Sequence, residues 1–461
     1  MTTTTSSGTA AMRPRLTSAE ELLAHDRWPR DWLLAYQRSR LRELIEHAVS
    51  NSAYYREVLG RDALDPDVRL EDLPALPKAM LMEQFDRVLA DPRLRLDLLE
   101  AHAAGPDPGT LMPGAPNTGC CHVFCTSGTT GRRGVFPQTP AEFEQWLAAA
   151  RRMTARAGVQ PDARVIGICA PTPLHITQKL FKALGGFGDG RPRLTVTTPP
   201  SEIIETLNRE RPDALFTVPS LAGVLAEQQL AGRLAITPRQ IVLAGEVLSD
   251  EVAGRIAEAW AIEPFQVYAS TEALMLATES LDRVGLHINE DLVVLEVVDE
   301  HNRPVPPGVP GYKVLVTSLV NRALPLIRYE LADTVTLAPD PDPSGRPYRR
   351  IERVDGRNDD VLRFPAVGGG EAVVLPHRLR APFAQLPDVI QYQLVREPQR
   401  LVIRVVLRAG ASAEIPAQVT ARIKAALEHA GAIAPVIETE QVAEIEREPG
   451  GAKLKLVKSL S

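Results

Sequence analysis

The stretch QIVLAGEVLSDEVAGRIAEAWAIEPFQVYASTE, residues 240–272, contains two short aliphatic runs separated by an amphipathic segment. The first run, QIVLAG, and the later run that ends in VYASTE are typical of buried β-strands. Between them, Ser249 suits a helix N-cap. The following apolar residues would share one helical face: Val252, Ile256, Ala259 and Trp260. A strand, a helix and a second strand in this order predict a unit of parallel sheet.

The same alternation extends upstream. Three further runs resemble buried strands: RVIGICA (164–170), RLTVTT (193–198) and ALFTV (214–218). Two segments between them have helical periodicity: PSEIIETLNRE (200–210) and SLAGVLAEQQL (220–230). The sequence therefore predicts an α/β fold whose mostly parallel sheet is covered by helices on both faces.

The chain has 461 residues, more than one compact core accommodates, so we expect at least two domains. Residues 1–17 have low complexity and are predicted to form a disordered tail. Residues 18–357 would form the N-terminal domain, with helices up to about residue 99 and a β-rich subdomain from about residue 285. GRNDD (356–360) marks a break, and residues 358–461 would form a small, mobile α+β domain.

Composition excludes several classes of function. The net charge is −6, so there is no basic field to attract nucleic acid or anionic lipid. The sequence has neither a secretory signal nor an apolar stretch of membrane-spanning length, and we expect a cytoplasmic protein. Cys120, Cys121 and Cys125 lie together, but only His122 could complete a zinc frame, so buried thiols are the favoured interpretation.

The segment FCTSGTTGRRG (124–134) alternates hydroxyl residues with glycines and then adds arginines. Such a loop can direct backbone N–H groups and hydroxyls at a polyphosphate. It is not a Walker A loop, since no G-x-x-x-x-G-K-[S/T] pattern occurs in the chain. Taken alone, the segment fits a solvated turn equally well.

The motifs that follow add specificity. Thr271 and Glu272 place a hydroxyl beside a carboxylate after a strand, which suits a magnesium-bound phosphate. LPLIRYELAD (324–333) ends in Asp333, whose carboxylate could accept both ribose hydroxyl protons. Arg357 and Lys453 add cations, the latter in the glycine-led segment GGAKLKLV (450–457).

With these motifs in this order, the chain resembles the adenylate-forming superfamily of acyl-CoA synthetases and peptide-synthetase adenylation domains. Within it, the chain is most similar to the phenylacetate-CoA ligase family. The most family-specific pieces are PLIRYELADTVTL (325–337) and YRRIERVDGRNDDVL (348–362). IEHAVSNSAYYREVL (45–59) and LPALPKAMLMEQFD (73–86) resemble that family's N-terminal helices.

The resemblance implies a set of site residues. The ATP phosphates would be held by Thr126, Ser127, Gly128, Thr129, Thr130 and Gly131. The nucleotide and the acyl group would share a pocket lined by Gly245, Glu246, Tyr268, Ala269 and Ser270, with Tyr268 stacking near adenine. Thr271 would contact phosphate and Glu272 would bind Mg²⁺. Asp333, assisted by Arg357, would hold the ribose.

Three further residues complete this set. Lys453 would bridge the acid and the α-phosphate, although Lys455 and Lys458 lie close by. Asp359 would be the hinge about which the small domain rotates. His175 follows a strand where an acyl-pocket residue is expected, and a structural role is an equal alternative.

This sequence departs from the family pattern at three places. Arg132 and Arg133 stand where relatives usually have lysine and proline, which keeps the positive charge. Ala269 replaces a glycine beside adenine. After the hinge, VLRFPAVGGGEAVVLP (361–376) lacks the usual frame of the glycine that lines the thiol tunnel, which leaves the second substrate open.

The leading hypothesis is an ATP- and Mg²⁺-dependent ligase that adenylates a carboxylic acid, expected to be aromatic, and passes it to coenzyme A. The alternatives keep the adenylation and change the partner: an amine acceptor, a carrier-protein thiol, or nitrite as the activated acid. A third class, a non-catalytic nucleotide-binding protein, is disfavoured by Glu272, Asp333 and the terminal lysine. Relatives are often dimers, so the resemblance also allows a homodimer.

Overall fold

The computed structural model describes residues 16–65, 67–109, 112, 121–126, 134–185, 192–357, 362–374, 378–379, 381–383, 386, 388–445 and 456–459. Within this part of the chain, six helices precede the first strand: α1 (Ala19–His25), α2 (Arg30–Asn51), α3 (Ala53–Val58), α4 (Lys78–Glu83), α5 (Phe85–Val88) and α6 (Leu96–Ala103). They confirm the helical pattern predicted for the first hundred residues. Thr17, the last residue of the predicted tail, exchanges two backbone-to-side-chain hydrogen bonds with Gln145.

The middle of the chain alternates strands and helices. Its strands are β1 (His122–Cys125), β2 (Val135–Gln138), β3 (Val165–Cys169), β4 (Leu194–Thr195), β5 (Ala214–Thr217), β6 (Gln240–Ala244) and β7 (Phe265–Ser270). Its helices are α7 (Pro140–Arg156), α8 (Ile176–Ala183), α9 (Pro200–Glu210), α10 (Pro219–Leu230) and α11 (Asp250–Trp260). Ser249 caps α11 as predicted, because its side chain accepts a hydrogen bond from the Val252 amide.

Strands then follow at short intervals. They are β8 (Leu274–Thr278), β9 (Leu286–Ile288), β10 (Val293–Val298), β11 (Lys313–Ser318), β12 (Tyr329–Leu331), β13 (Asp333–Leu337) and β14 (Arg350–Arg357). The C-terminal region contains β15 (Leu362–Pro365), β16 (Glu371–Val374), β17 (Val389–Arg396), β18 (Arg400–Leu407), α12 (Ile415–His429), β19 (Val436–Gln441) and β20 (Val457–Ser459).

The largest sheet has nine strands in the order β13-β14-β9-β8-β7-β6-β5-β3-β4. The pairings from β4 to β7 are parallel, and those from β7 to β13 are antiparallel. β10, β11 and β12 form a separate antiparallel sheet, and β1 pairs with β2 as an antiparallel hairpin.

The parallel half is buried on both faces, as its aliphatic sequence predicted. Ala214 and Val242 face the hydrophobic core that includes α7. Leu215 and Ile241, one residue removed on the same strands, face the core formed with α9, α10 and α11. Because successive side chains on a strand point to opposite faces, burial on both faces requires a continuous apolar run.

The C-terminal region is a small α+β unit with its own core, as predicted. Its sheet has the order β19-β18-β17-β20, and α12 packs on this sheet through Val419, Ile423 and Leu427. The unit contacts the N-terminal region through Arg255 of α11. The Arg255 guanidinium forms a 2.6 Å ion pair with buried Glu227 and donates to the Val389 carbonyl at 3.1 Å.

Candidate active site

A cavity of about 1000 Å³ lies at the carboxyl ends of the parallel strands. Segments that follow three neighbouring strands line it: Pro219 and Ser220 after β5, Gly245 and Glu246 after β6, and Thr271 and Glu272 after β7. Ligands of open α/β sheets bind at this edge, because loops from adjacent parallel strands converge there. The structure thus brings the Gly-Glu and Ser-Thr-Glu motifs to one wall.

The turn after β6 depends on a glycine. Gly245 has a φ of 88°, a left-handed conformation that residues with a Cβ rarely adopt. The turn directs the Glu246 carboxylate at the first turn of α10, where Oε2 accepts a 2.9 Å hydrogen bond from the Ser220 amide. A carboxylate at a helix N-terminus is stabilised by the helix dipole, so Glu246 is held in place.

The turn after β7 is fixed from both sides. Ser270 Oγ accepts a 3.1 Å bond from the Ala273 amide, and Asn321 donates a 2.8 Å bond to the Glu272 carbonyl. Leu274, where the chain turns back into β8, has a φ of 58°. This constrained turn places Thr271 and Glu272 on the cavity wall, with only 8% of Glu272 exposed.

A hydrogen-bonded pair from β7 and β13 also lines the cavity. The Tyr268 hydroxyl donates to Asp333 Oδ2 at 2.8 Å, and Arg357 lies directly across from Asp333 in the pairing of β13 with β14. Burial, followed by the negative charge of Asp333, raises the pKa of Tyr268 well above its usual value. The hydroxyl therefore stays protonated and remains a donor. All three side chains line the cavity, where the sequence predicted contacts to adenosine.

The predicted phosphate loop begins at the same cavity. Thr126 lines it, and two hydrogen bonds close the loop at its base: Thr126 N to Gly134 O at 3.0 Å and Gly134 N to Thr126 Oγ1 at 2.9 Å. A Cβ on Gly134 would lie 2.8 Å from the Phe136 ring, so a glycine is needed there. The remaining predicted phosphate ligands lie outside the described residues: Ser127, Gly128, Thr129, Thr130 and Gly131.

His175 has a structural contact and also borders the cavity, so both sequence interpretations stay predictions. It is the N-cap of α8, and its Nδ1 lies 2.9 Å from Thr177 Oγ1 and 3.3 Å from the Thr177 amide. The residue also lines the cavity. The cap fixes the start of α8 and, with it, the face of the helix that borders the predicted acyl pocket.

Two predicted residues, Asp359 and Lys453, lie outside the described part of the chain. Leu456, the first described residue after the segment that contains Lys453, lines the cavity, and its carbonyl accepts a 2.7 Å bond from the Leu394 amide. Ala269 and Ser270 also line the cavity.

Several residues that line the cavity are not among the predicted site residues. Tyr329 stands inside the quoted LPLIRYELAD motif, so the motif itself was a signal for it. Its pKa is raised well above the usual tyrosine value, mainly by burial and then by the charge of Glu272. Lys78 and Arg353 also stand inside quoted family-like stretches, LPALPKAMLMEQFD and YRRIERVDGRNDDVL, although the resemblance assigned neither residue a role. Tyr392 belongs to β17 of the C-terminal unit, and only the tertiary fold brings it here.

The described residues contain no group of three or more histidine, cysteine or acidic side chains arranged to hold a metal ion. Mg²⁺ does not require such a group, because it is commonly held by one carboxylate, substrate phosphates and water. Glu272 fits that role. Cys121, Cys125 and Cys169 are buried and unbridged, and burial raises the pKa of Cys169 to about 12, which favours the interpretation as inert thiols. In the described residues, no helix combines the length and apolarity needed to span a membrane.

Comparisons with known proteins agree with the motifs. Phenylacetate-coenzyme A ligase from Thermus thermophilus is 27% identical over 387 residues, which cover 80% of this chain and 79% of that protein. A crystal structure of 2-hydroxyisobutyryl-CoA ligase in the postadenylation state, with 2-HIB-AMP, superposes with a TM-score of 0.72 at 21% identity, covering 97% of this chain and 94% of that chain. The same ligase in the thioesterification state, with 2-HIB-AMP and CoA, gives a TM-score of 0.58 at 22% identity over the same shares.

The family model described as AMP-binding enzyme matches residues 35–318, which is more than half of the sequence. This region contains β1 to β11, the predicted phosphate loop that begins at Thr126, and the turns after β6 and β7. The motif-based prediction of an adenylate-forming enzyme is therefore confirmed, and this chain belongs to the family of AMP-binding enzymes.

Proposed function

We propose that this chain is an ATP-dependent ligase that adenylates a carboxylic acid, releases pyrophosphate, and then transfers the acyl group to coenzyme A with release of AMP. One observation carries the proposal. Residues from motifs that are far apart in sequence line one cavity, from Thr126 through Glu246, Glu272 and Asp333 to Arg357. Each has the chemistry that a different part of an acid–ATP complex requires.

In the first half-reaction, a carboxylate oxygen attacks the α-phosphorus of ATP. A new P–O bond forms, and the bond to pyrophosphate breaks. Two anions must approach each other, so groups that neutralise charge in the transition state lower the barrier most. Thr271 would donate to a phosphate oxygen from its constrained turn, and Lys453 would offset the charge between acid and phosphate. Glu272 would hold Mg²⁺, which supplies further neutralisation of the phosphate charge when bound.

The nucleoside end would be held by Asp333, Tyr268 and Arg357. A carboxylate has about four acceptor positions, so Asp333 can accept from Tyr268 and from both ribose hydroxyls at once. Arg357, across the strand pair, would help to hold this carboxylate near the sugar. Reaction rate depends on holding the α-phosphorus within attack distance of the acid, and a fixed ribose provides that position.

In the second half-reaction, the thiol sulfur of coenzyme A attacks the acyl carbon, and AMP leaves. The ligase name of the Thermus relative supports coenzyme A as the acceptor. The segment that departs from the family pattern forms the β15–β16 hairpin, in which Gly368, Gly369 and Gly370 all have positive φ. The turn of this hairpin therefore contains glycines, although they do not stand in the sequence frame that is usual for the family.

We further propose that the acid is aromatic. The relative named for phenylacetate supports this choice. The 2-hydroxyisobutyryl-CoA ligase, whose named acid is aliphatic, matches at only 21% identity and supports the fold alone.

Pyrophosphate release from ATP and MgCl₂ tests the proposal across aromatic and aliphatic acids, with hydroxylamine to trap the acyl-adenylate. Thioester formation is then measured with coenzyme A, and separate reactions replace it with amines or replace the acid with nitrite. We expect acid-dependent pyrophosphate release that Glu272→Gln reduces strongly, followed by thioester. Hydroxamate without thioester would refute the coenzyme A step. A folded protein that releases no pyrophosphate with any acid or with nitrite would refute the adenylation.

A further inference from the structure

Buried polar groups without partners cluster around the Phe124 ring. Lys179 Nζ lies 5.0 Å from the ring centroid, the Trp146 ring 5.6 Å away and the His122 ring 6.2 Å away. Lys179 Nζ, Trp146 Nε1, His122 Nδ1 and Gln138 Oε1 are all buried and form no hydrogen bond with the residues that the structure describes. Gln138 is opposite His122 in the β1–β2 pairing. Buried polar atoms are rarely left unpaired, so this concentration indicates a missing partner.

The charge of Lys179 makes the missing partner specific. Only 6% of the residue is exposed, and within the described residues no carboxylate pairs with it. Burial lowers the pKa of Lys179 to about 8, which still leaves most of the amine protonated at neutral pH. A buried cation without a counter-ion is unfavourable, so a ligand with a negative group would be strongly attracted.

The cluster is adjacent to the catalytic cavity. His175 lines the cavity, and Lys179 follows it by four residues on α8, which places both on the same helical face. Helical side chains lean towards the helix N-terminus, so Lys179 is directed towards the turn that contains His175. Thr126 lines the cavity and follows Phe124 by two residues, on the same side of the extended chain. The cluster's side chains are not among those that line the cavity, but they lie behind two lining residues, His175 and Thr126, on the side of the predicted acyl pocket.

We propose that Lys179, with the nitrogen atoms of His122 and Trp146, forms a subsite for a second carboxylate on the acid, so that the enzyme selects dicarboxylic acids. This inference rests on the proposed adenylation of an acid and names the class of that acid. The aromatic rings of Phe124 and Phe143 would contact the body of the substrate, since His122 also packs against Phe143 at 4.1 Å. Lys179 is a specificity residue here and takes no part in the reaction at phosphorus.

Matched acid pairs test the subsite directly. The pairs are phenylacetate with 4-carboxyphenylacetate, and butanoate with glutarate. The readout is the ratio of kcat/KM for pyrophosphate release within each pair. Wild-type enzyme should favour the diacid in at least one pair, and Lys179→Met should lower that preference by about 10- to 100-fold, the usual size of a charged hydrogen bond. Lys182→Met, an exposed lysine on the same helix, is the control and should keep the wild-type ratio.

Two further readouts separate this subsite from a merely structural lysine. Removing an unpaired buried charge should raise the Tm of Lys179→Met, whereas loss of a structural contact would lower it. In addition, 4-carboxyphenylacetate without ATP should raise the Tm of wild-type protein at pH 7. It should do so much less at pH 9.5, because Lys179 is then neutral. This second measurement does not require adenylation.

The groups that face Lys179 allow this pH dependence to be assigned. Cys121, just before β1, and Cys125 on β1 raise the pKa of Lys179, and Lys182 on α8 lowers it. Desolvation, followed by the charge of Lys179, lowers the pKa of His122 to about 4, so His122 stays neutral between pH 7 and 9.5. Lys179→Met should therefore remove the difference between the two pH values.

The outcomes distinguish the two proposals. Wild-type enzyme that adenylates monocarboxylic acids and rejects every diacid overturns the subsite and leaves the ligase intact. The same holds if a folded Lys179→Met changes both acids of each pair equally, which would mean that the cluster contains only water. Diacid binding at pH 7 that depends on Lys179, without pyrophosphate release from any acid, supports the subsite and overturns the ligase.

Discussion

Removal of the Asp333 carboxylate is the sharpest test of the nucleoside site. If Asp333 accepts both ribose hydroxyls, Asp333→Ala removes two hydrogen bonds to a charged group. Each contributes about 1.5–3 kcal/mol, so the binding free energy of ATP should weaken by about 3–6 kcal/mol. At about 1.4 kcal/mol for each factor of ten, the Kd for ATP should rise about 100- to 10,000-fold. The Tyr268 hydroxyl, which donates to Asp333 at 2.8 Å, does not reduce this loss, because the carboxylate has acceptor positions for all three donors.

Calorimetric titration with ATP and with 2′,3′-dideoxy-ATP gives the decisive comparison. The dideoxy nucleotide lacks both hydroxyls, so Asp333→Ala should change its Kd by less than about threefold if each lost contact is a sugar contact. Asp340→Ala, at an exposed position beyond β13, is the matched control and should bind both nucleotides as wild type does. Equal weakening of ATP and dideoxy-ATP by Asp333→Ala would refute the ribose assignment and indicate a structural role for the carboxylate.

Three other substitutions have defined outcomes. Lys453→Ala should slow ATP–pyrophosphate exchange about 100- to 1000-fold, the typical effect of losing one transition-state donor, whereas Lys455→Ala should exchange normally; the reverse result would reassign the catalytic lysine. Arg255→Met leaves a buried glutamate short of a partner and removes a donor to β17, so limited proteolysis should cleave between the two units faster than in wild type. Arg152→Met breaks a fully buried ion pair with Asp291 (2.5 Å) and should lower the free energy of unfolding in urea by about 3–5 kcal/mol. Burial opposes it, but the charge of Arg152 holds the pKa of Asp291 below its usual range, so the ion pair stabilises the fold above about pH 4 and loses this effect as the pH falls. The difference in unfolding free energy between wild type and Arg152→Met should therefore shrink on acidification. A difference that does not depend on pH would contradict this assignment.

The wall formed by the Gly-Glu and Ser-Thr-Glu motifs could be predicted because strand ends carry positional information. An aliphatic run that stops at Gly245 and another that stops before Thr271 indicate neighbouring parallel strands. Parallel neighbours end at the same edge of a sheet, so their following residues must meet. The structure has this arrangement in β6 and β7.

The Tyr268–Asp333 contact could not be derived from such local patterns. The two residues are 65 positions apart, and Asp333 belongs to the antiparallel half of the sheet, whose strand order is not sequential. Family resemblance placed both residues near the nucleotide, but it did not predict their hydrogen bond. Tyr392 and Leu456 reach the cavity only through the position of the C-terminal unit, which sequence periodicity does not determine.

Lys179 shows a different limit. Its segment, PTPLHITQKLF, predicts a possible role only for His175, because a lysine on an amphipathic helix is ordinarily on the exposed face. Lys182, three residues later on the same helix, is exposed as that pattern suggests. Lys179 instead lies over the Phe124 ring of β1, a tertiary contact that no local sequence feature records.

The position of the C-terminal unit bears on the order of the two proposed half-reactions. The chain superposes better on the postadenylation state of 2-hydroxyisobutyryl-CoA ligase than on its thioesterification state, with TM-scores of 0.72 and 0.58. If the proposed ligase changes its domain arrangement between half-reactions, the Arg255 contacts with β17 must break before the thiol arrives. Arg255 would then keep its ion pair with Glu227, whereas the 2.9 Å ion pair between Glu227 and Arg408 of the C-terminal unit would break. Glu227 would keep one of its two arginine partners, and the carbonyl acceptors on β17 would exchange their bonds with Arg255 for bonds with water, so the contact can hold the first arrangement without preventing the second.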